Sequence, residues 1–244
     1  MELHGRTALV TGAARRVGRA IALAMAGRGA DVVIHYKSSA SEAHETVEAV
    51  ERLGRRAVAI QADLAEPDQV EALADRAIGV CGKVDVLVNS AAIFRRTPLE
   101  HLTLKDWEQF LRINLTAPFL LARRLGLLMR RQGAGKIINV ADVAGIKPWA
   151  DFLPYSVSKG MLITMTQGLA KALAPEVQVN AVVPGTVLLA EDYSEKERES
   201  IVKGTPLKRI GDSSDIANTV LFLVEGSDFI TGQVVVVDGG RSIQ

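Results

Sequence analysis

The chain has 244 residues, 48% hydrophobic and 23% charged, which suits one domain with a sizeable core and excludes disorder, collagen-like repeats and coiled coil. Its 29 basic and 28 acidic side chains leave a formal net charge of +1, so no field favours nucleic acid or an anionic membrane over a small neutral molecule. A single cysteine, Cys81, excludes an internal disulfide, and His4, His35, His44 and His101 are too scattered for a metal site. The opening residues carry no basic, apolar export signal, and no stretch is long and apolar enough for a membrane span. A cytoplasmic protein with no metal, membrane or nucleic-acid partner is expected.

Short Val/Ile/Leu-rich runs alternate with longer amphipathic stretches, the rhythm of β-α-β units and a parallel sheet. The first strand is expected over 7–11 and the first helix over 17–28. Between them Thr11-Gly12-Ala13-Ala14-Arg15-Arg16-Val17-Gly18 sets small residues at a helix N-terminus, where unpaired N–H groups suit a pyrophosphate. A second strand over 31–35 ends in His35-Tyr36-Lys37-Ser38-Ser39. An NAD site usually places a carboxylate there for the ribose hydroxyls. Here none is present, and Lys37, Ser38, Ser39 and Arg15 can hold a 2′-phosphate instead, so NADP(H) is the expected cofactor.

Further along, a helix over 41–53 closes at Gly54, a strand covers 57–61, and Pro67 suits the first turn of a helix over 67–81. Next come a strand over 85–89, a long helix over 103–131 broken near Pro118, a strand over 136–140 and a helix over 155–174. A strand over 177–183, a helix over 215–224 and a last strand over 234–238 complete the chain. These elements imply an α/β fold: one Rossmann-type domain, 1–244, with about seven parallel strands and helices on both faces of a doubly wound sheet. The charged stretch within 183–211 follows a strand end, where such sheets bind ligands, and is expected to be a substrate lid.

Tyr155 and Lys159 stand four apart at a helix start, on one face. An adjacent ammonium is expected to lower the phenol's pKa from about 10 towards the working range of an acid-base group. Together with the T-G turn, Asp63, "NSAA" at 89–92, Asn114, "YSVSK" at 155–159, "PG" at 184–185 and "ITGQVVVVDGG" at 230–240, this pair resembles the short-chain dehydrogenase/reductase family over nearly the whole chain. The resemblance implies Tyr155 as proton donor, Lys159 holding the nicotinamide ribose, and Asn114 ordering a water in the relay. It sets Asp63 at the adenine and Asn89 beneath the turn. Gly12, Arg15, Arg16, Val17, Gly18, His35, Tyr36, Lys37, Ser38, Ser39, Leu64, Ser90, Ala91, Pro184, Gly185 and Val187 complete the implied cofactor set. A homotetramer, or a homodimer, is also implied.

Two departures sharpen the resemblance. Arg16 replaces the middle glycine of the family's T-G-x-x-x-G-x-G turn, and Asp142 replaces the serine thirteen residues before the tyrosine. Both changes, with an aromatic at Phe94, are similar to the pteridine reductase subgroup. An ionised Asp142 would repel the charge that develops on a reduced carbonyl oxygen, so it disfavours a simple ketone unless it is protonated. A C=N bond, which takes a proton at nitrogen, suits an Asp142/Tyr155 pair better. The expected substrate is therefore pterin-like, with Phe94 stacked on a flat ring and Arg16, Asp142 and Tyr155 around it. The alternatives are a 3-oxoacyl thioester or other carbonyl reductase, in which Arg95 and Arg96 meet a phosphopantetheine or carrier surface, and a non-catalytic NADP-binding sensor.

Overall fold

Seven parallel strands form one sheet in the order β3-β2-β1-β4-β5-β6-β7 in the computed structural model, which describes residues 1–189 and 194–243. They are β1 Thr7–Val10, β2 Asp31–Tyr36, β3 Ala57–Gln61, β4 Val86–Asn89, β5 Gly135–Val140, β6 Val177–Pro184 and β7 Val234–Val237. The helices are α1 Arg16–Gly27, α2 Ala40–Arg52, α3 Pro67–Cys81, α4 Leu104–Leu111, α5 Ala117–Arg131, α6 Leu153–Leu173, α7 Glu195–Lys203 and α8 Ser213–Glu225.

Because strand side chains alternate between faces, each strand feeds two cores. Ala8, Val10, Val32 and Ile34 pack with Ile21 and Met25 of α1 and Val220 and Leu223 of α8. Leu9, Val33, Leu87 and Ile137 pack on the other face with Leu73 of α3, Leu121 and Leu125 of α5 and Leu173 of α6. The parallel register sets Leu9 beside Val33 on one side and Leu87 on the other. Strand order reverses at β1 and β4, so the crevice beyond their carboxyl ends is where this architecture binds ligands.

Two elements differ from the sequence expectation. The helix expected over 103–131 is α4, a π-helical turn Arg112–Thr116, and α5. Pro118 sits in the first turn of α5, and having no N–H it cannot bond the carbonyl of Asn114; the backbone widens just ahead of it rather than breaking at it. Within the expected lid stretch 183–211, β6 extends to Pro184 and α7 forms with Ser194 as its N-cap, accepting from the Glu197 N–H. Residues 190–193 of that stretch lie outside the described residues.

Candidate active site

A cleft of about 380 Å³ opens at the β1/β4 crevice. Gly12, Arg15, Arg16, Val17 and Gly18 line it from the first turn, and Tyr36, Lys37, Ser38 and Ser39 from the end of β2. Ser90 and Ala91 line it beyond β4, Pro184, Gly185 and Val187 beyond β6, and Asp142, Tyr155 and Lys159 form its floor. Gly12 adopts φ +66°, and a Cβ there would lie 3.0 Å from the Ala91 Cα; one at Gly18 would lie 2.3 Å from the Gly12 carbonyl oxygen. Neither position admits a side chain, so backbone N–H groups at the start of α1 face the cleft directly. That cradle, with Lys37 and two serines at the ribose end, fits a phosphorylated dinucleotide. Thr11, which the sequence reading passed over, closes the cradle: its Oγ1 accepts from the N–H groups of Ser90 and Ala91, both at 3.0 Å.

Two residues expected at the cofactor, His35 and Leu64, stand behind the cleft instead, Asp63 is drawn to its rim, and Asn89 keeps its expected place beneath the turn. His35 is 2% exposed; its Nδ1 accepts from the Gly12 N–H at 3.1 Å, which leaves Nε2–H to donate to the Ala62 carbonyl at 3.1 Å. It braces the glycine turn, and burial pushes its pKa down to about 4. Asn89 is buried and donates to Asn139 at 2.9 Å, as a strut beneath the turn. Leu64 packs into the core against α3 and α5. Asp63 does not line the cleft either: its carboxylate holds Lys37 Nζ at 2.7 Å on the rim, so Lys37 is already in an ion pair. Arg15 lines the cleft while reaching Glu42 at 3.5 Å.

Asp142 follows β5 and caps a short 3-10 turn, its Oδ1 accepting from the Ala144 N–H at 2.8 Å. Its Oδ2 accepts from the Tyr155 hydroxyl at 2.9 Å. Lys159, one turn along α6, donates to the Val140 carbonyl at 2.7 Å and sits 5.8 Å from the centre of the Tyr155 ring. Three titratable groups thus share one buried spot. Burial, and then the Asp142 charge, pushes the Tyr155 pKa well above its usual 10, which overturns the expectation of a lowered phenol. The same burial raises the Asp142 carboxyl and brings the Lys159 ammonium down to about 8. Tyr155 is therefore a neutral phenol, Asp142 holds a proton more readily than a free carboxyl does, and Lys159 gives one up more readily than a free ammonium.

Asn114 lies in the π turn, and its amide is spent on the protein. Its Oδ1 accepts from the Ile93 N–H at 2.9 Å, and its Nδ2 donates to the Ile93 carbonyl at 3.2 Å and to Ser158 Oγ at 3.1 Å. The side chain is a positioning group that ties the 90s loop to α6, not a side-chain member of a water relay.

A pocket of about 210 Å³ adjoins the cleft, lined by Arg16, Phe94, Asp142, Trp149, Tyr155 and the stretch 185–189. Phe94 stacks on Phe152 with centroids 4.7 Å apart and 9° between planes, and meets Tyr155 edge-on at 4.9 Å and Trp149 at 6.3 Å. The four expected substrate residues meet here. Trp149 and Phe152 were missed, though two aromatics just ahead of Tyr155 are a signal the sequence does carry. The arginine doublet stays exposed and is ion-paired within the chain: Arg95 pairs with Asp106 at 2.7 Å, and Arg96 reaches Asp151 at 3.8 Å and Glu197 at 3.6 Å.

Residues 12–242 match the family model described as enoyl-(acyl carrier protein) reductase. The 3-oxoacyl-[acyl-carrier-protein] reductase of Synechocystis sp. is 39% identical over 98% of this chain and 97% of its own. The FabG reductase of the same description from Staphylococcus aureus is 36% identical over 96% of this chain and 97% of its own. Among solved structures, a blue fluorescent protein from a metagenomic library, in complex with NADPH, superposes with a TM-score of 0.92 at 37% identity, covering 99% of both chains. A 7α-hydroxysteroid dehydrogenase complexed with NADH and 7-oxo glycochenodeoxycholic acid gives 0.94 at 30% identity, over 98% of this chain and 95% of its own. The two sequence relatives carry the name 3-oxoacyl-[acyl-carrier-protein] reductase, not that of the expected pteridine reductase subgroup. The chain belongs to the short-chain dehydrogenase/reductase family, whose members are NAD(P)-dependent oxidoreductases.

Proposed function

We propose that this short-chain dehydrogenase/reductase binds NADP(H) in the 380 Å³ cleft and reduces a carbonyl substrate of the 3-oxoacyl thioester class, with Tyr155 as proton donor. The observation that carries the reading is the Tyr155 hydroxyl, 2.9 Å from Asp142, opening where the cofactor cleft meets the substrate pocket. NADPH supplies the hydride when bound. Gly12 and Gly18 would admit its pyrophosphate to the start of α1, and Lys37, which pairs with Asp63 on the rim, would hold the 2′-phosphate with Ser38 and Ser39. Tyr155, held neutral, gives its proton to the carbonyl oxygen. Asp142 stands where the family has a serine; in its acid form it donates a hydrogen bond to that oxygen, and burial favours this form. Lys159, fixed by the Val140 carbonyl, holds positive charge beside the phenolate as it forms. We also propose a cytoplasmic homotetramer or homodimer as the working form. With Asp142, Tyr155 and Lys159 converging on one pocket, the non-catalytic sensor reading has less support.

A second reading has its own observation. The Phe94–Phe152 stack beside Asp142 suits a flat C=N heterocycle such as a pterin, whose ring N–H groups would donate to an ionised Asp142. The test is NADPH oxidation by the purified protein with an acetoacetyl thioester, a dihydropterin, dihydrofolate and a small quinone side by side, across pH. Under the carbonyl reading the thioester turns over, its kcat falls as pH rises and Asp142 ionises, and Asp142→Ser raises ketone turnover and flattens that limb. Turnover confined to the pterins, or a thioester rate that does not gain from Asp142→Ser, overturns it in favour of the second.

A further inference from the structure

Only three non-glycine residues have positive φ among the described residues: Arg16 at 54°, Leu188 at 57° and Lys208 at 53°. Two of the three are bonded to each other. The Arg16 guanidinium Nη2 donates to the Leu188 carbonyl across 172 positions of sequence. Both belong to the substrate pocket, and Arg16 alone of the two also lines the cofactor cleft. Arg16 is the second residue of the glycine turn's basic pair, and Leu188 lies four residues past the end of β6, in the wall facing Asp142 and Tyr155.

We propose that Arg16 is a positioning residue that latches the 186–189 wall of the substrate pocket to the cofactor turn. The inference rests on the reading of this pocket as the substrate site. A left-handed backbone is where a glycine is comfortable and an arginine is not. At 16 the left-handed turn coincides with a side chain that crosses the mouth of the cleft, and at Leu188 it coincides with a carbonyl turned towards that side chain. The guanidinium is a rigid five-donor fork, so it holds one carbonyl and keeps donors to spare. Below the latch, Thr186 is held by its carbonyl, which accepts from the Gly211 N–H at 3.0 Å, and by its hydroxyl, which accepts from Arg241 Nη1 at 3.1 Å, and Val187 pairs with Gly211 in an isolated bridge. Beyond Val187, among the described residues, the hydrogen bond that holds the wall is the one from Arg16 to the Leu188 carbonyl. Substrate capture, more than dinucleotide capture, therefore depends on this arginine.

The latch has a readout that needs no turnover. Trp149 lines the same pocket as Leu188, so wall opening exposes its indole to a soluble quencher. In a Trp107→Phe background, where Trp149 is the sole tryptophan, acrylamide quenching is compared for the parent, R16G, R16M and R16K. R16G removes the donor and the backbone strain together; R16M removes the donor and leaves the strain; R16K keeps a donor. Expected are stronger quenching in R16G and R16M and near-parental quenching in R16K. R16G melts at or above the parental temperature despite its looser wall, whereas R16M melts below it. With a substrate in hand, R16G and R16M raise its KM by about five- to tenfold, the loss of one hydrogen bond, and shift the NADPH Kd by less than that. Unchanged quenching in both R16G and R16M overturns the latch, as does an effect confined to the NADPH Kd. Quenching that responds in a protein that turns over none of the tested substrates upholds the latch and overturns the functional reading instead.

Discussion

Tyr155 is where sequence and surroundings disagree most usefully. The four-residue spacing to Lys159 places both on one face of α6, as read from the sequence, but the spacing says nothing of a carboxylate thirteen residues earlier in the chain. That carboxylate and the burial set the phenol's proton affinity, and they raise it. Tyr155→Phe removes the proposed proton donor and leaves the cleft intact: kcat is expected to fall by about 10²- to 10⁴-fold with NADPH affinity little changed. Stopped-flow turnover beside a fluorescence titration of NADPH checks both halves. His35 makes a second residue-scale case. In the sequence it reads as a cleft residue at a strand end; only the fold shows that both ring nitrogens are spent, one on Gly12 and one on Ala62. Its pKa is about 4 folded against about 6.5 unfolded, so the unfolded chain binds more protons between those values. The stability from neutral His35 is complete above pH about 6.5 and is lost as pH falls towards 4, by up to about 3 kcal/mol. In urea melts between pH 4 and 7, His35→Gln, which cannot be protonated there, should show a visibly shallower loss than the parent; parallel curves would contradict the assignment.

The α4–α5 pair shows what an element-level reading can and cannot reach. Apolar periodicity locates the helices, and proline marks an interruption, but whether the backbone breaks or merely widens depends on what else can satisfy the freed groups. Here the π turn keeps the two helices continuous and points Asn114 at the loop after β4, where it meets both backbone groups of Ile93. The strands were legible for a simpler reason: the five inner ones are buried on both faces and read as short Val/Ile/Leu-rich runs, and the turns fix the ends of all seven within a residue or two. Of the pocket beside Asp142, Arg16, Phe94, Asp142 and Tyr155 were legible through the family resemblance, whereas Trp149 and Leu188 were not, because the fold brings them there from distant positions and leaves no local pattern. Asn114→Ala tests the π-turn account. It leaves the part-buried N–H and carbonyl of Ile93 and the buried Ser158 hydroxyl oxygen without their Asn114 partner, for a cost of about 1–3 kcal/mol and a lower melting temperature. Because Ile93 adjoins Phe94, the variant should also raise substrate KM while leaving the NADPH Kd near parental. A normal melting temperature would mean that the π turn does not depend on this amide.

At the scale of the whole molecule, α6 faces two ways. Tyr155 and Lys159 turn to the site and Leu162, Thr166 and Leu173 to the core, yet Leu153, Val157, Met161 and Met165 line a groove of about 750 Å³ with Leu115 and Phe119 on the opposite side of the helix. A helix that is apolar nearly all round belongs in an interior, and within one chain only half of this one is covered. The proposed homotetramer or homodimer supplies the missing cover if a second copy's α5 and α6 pack into the groove. Met161 and Phe119 are 44% and 41% exposed in the single chain, so a glutamate at either is tolerated by the monomer and is costly only where a partner would bury it. Met161→Glu is accordingly expected to shift the protein to a smaller species in size-exclusion chromatography with light scattering, with an unchanged far-UV spectrum. The helix that loses its partner is the one that carries Tyr155 and Lys159, so kcat should fall with the assembly and recover as protein concentration drives reassociation. A variant that keeps the parental size would put the interface elsewhere, at the β7 edge with its exposed Val236 and Phe229; one that dissociates at full kcat would show that α6 is held rigidly enough by its own core.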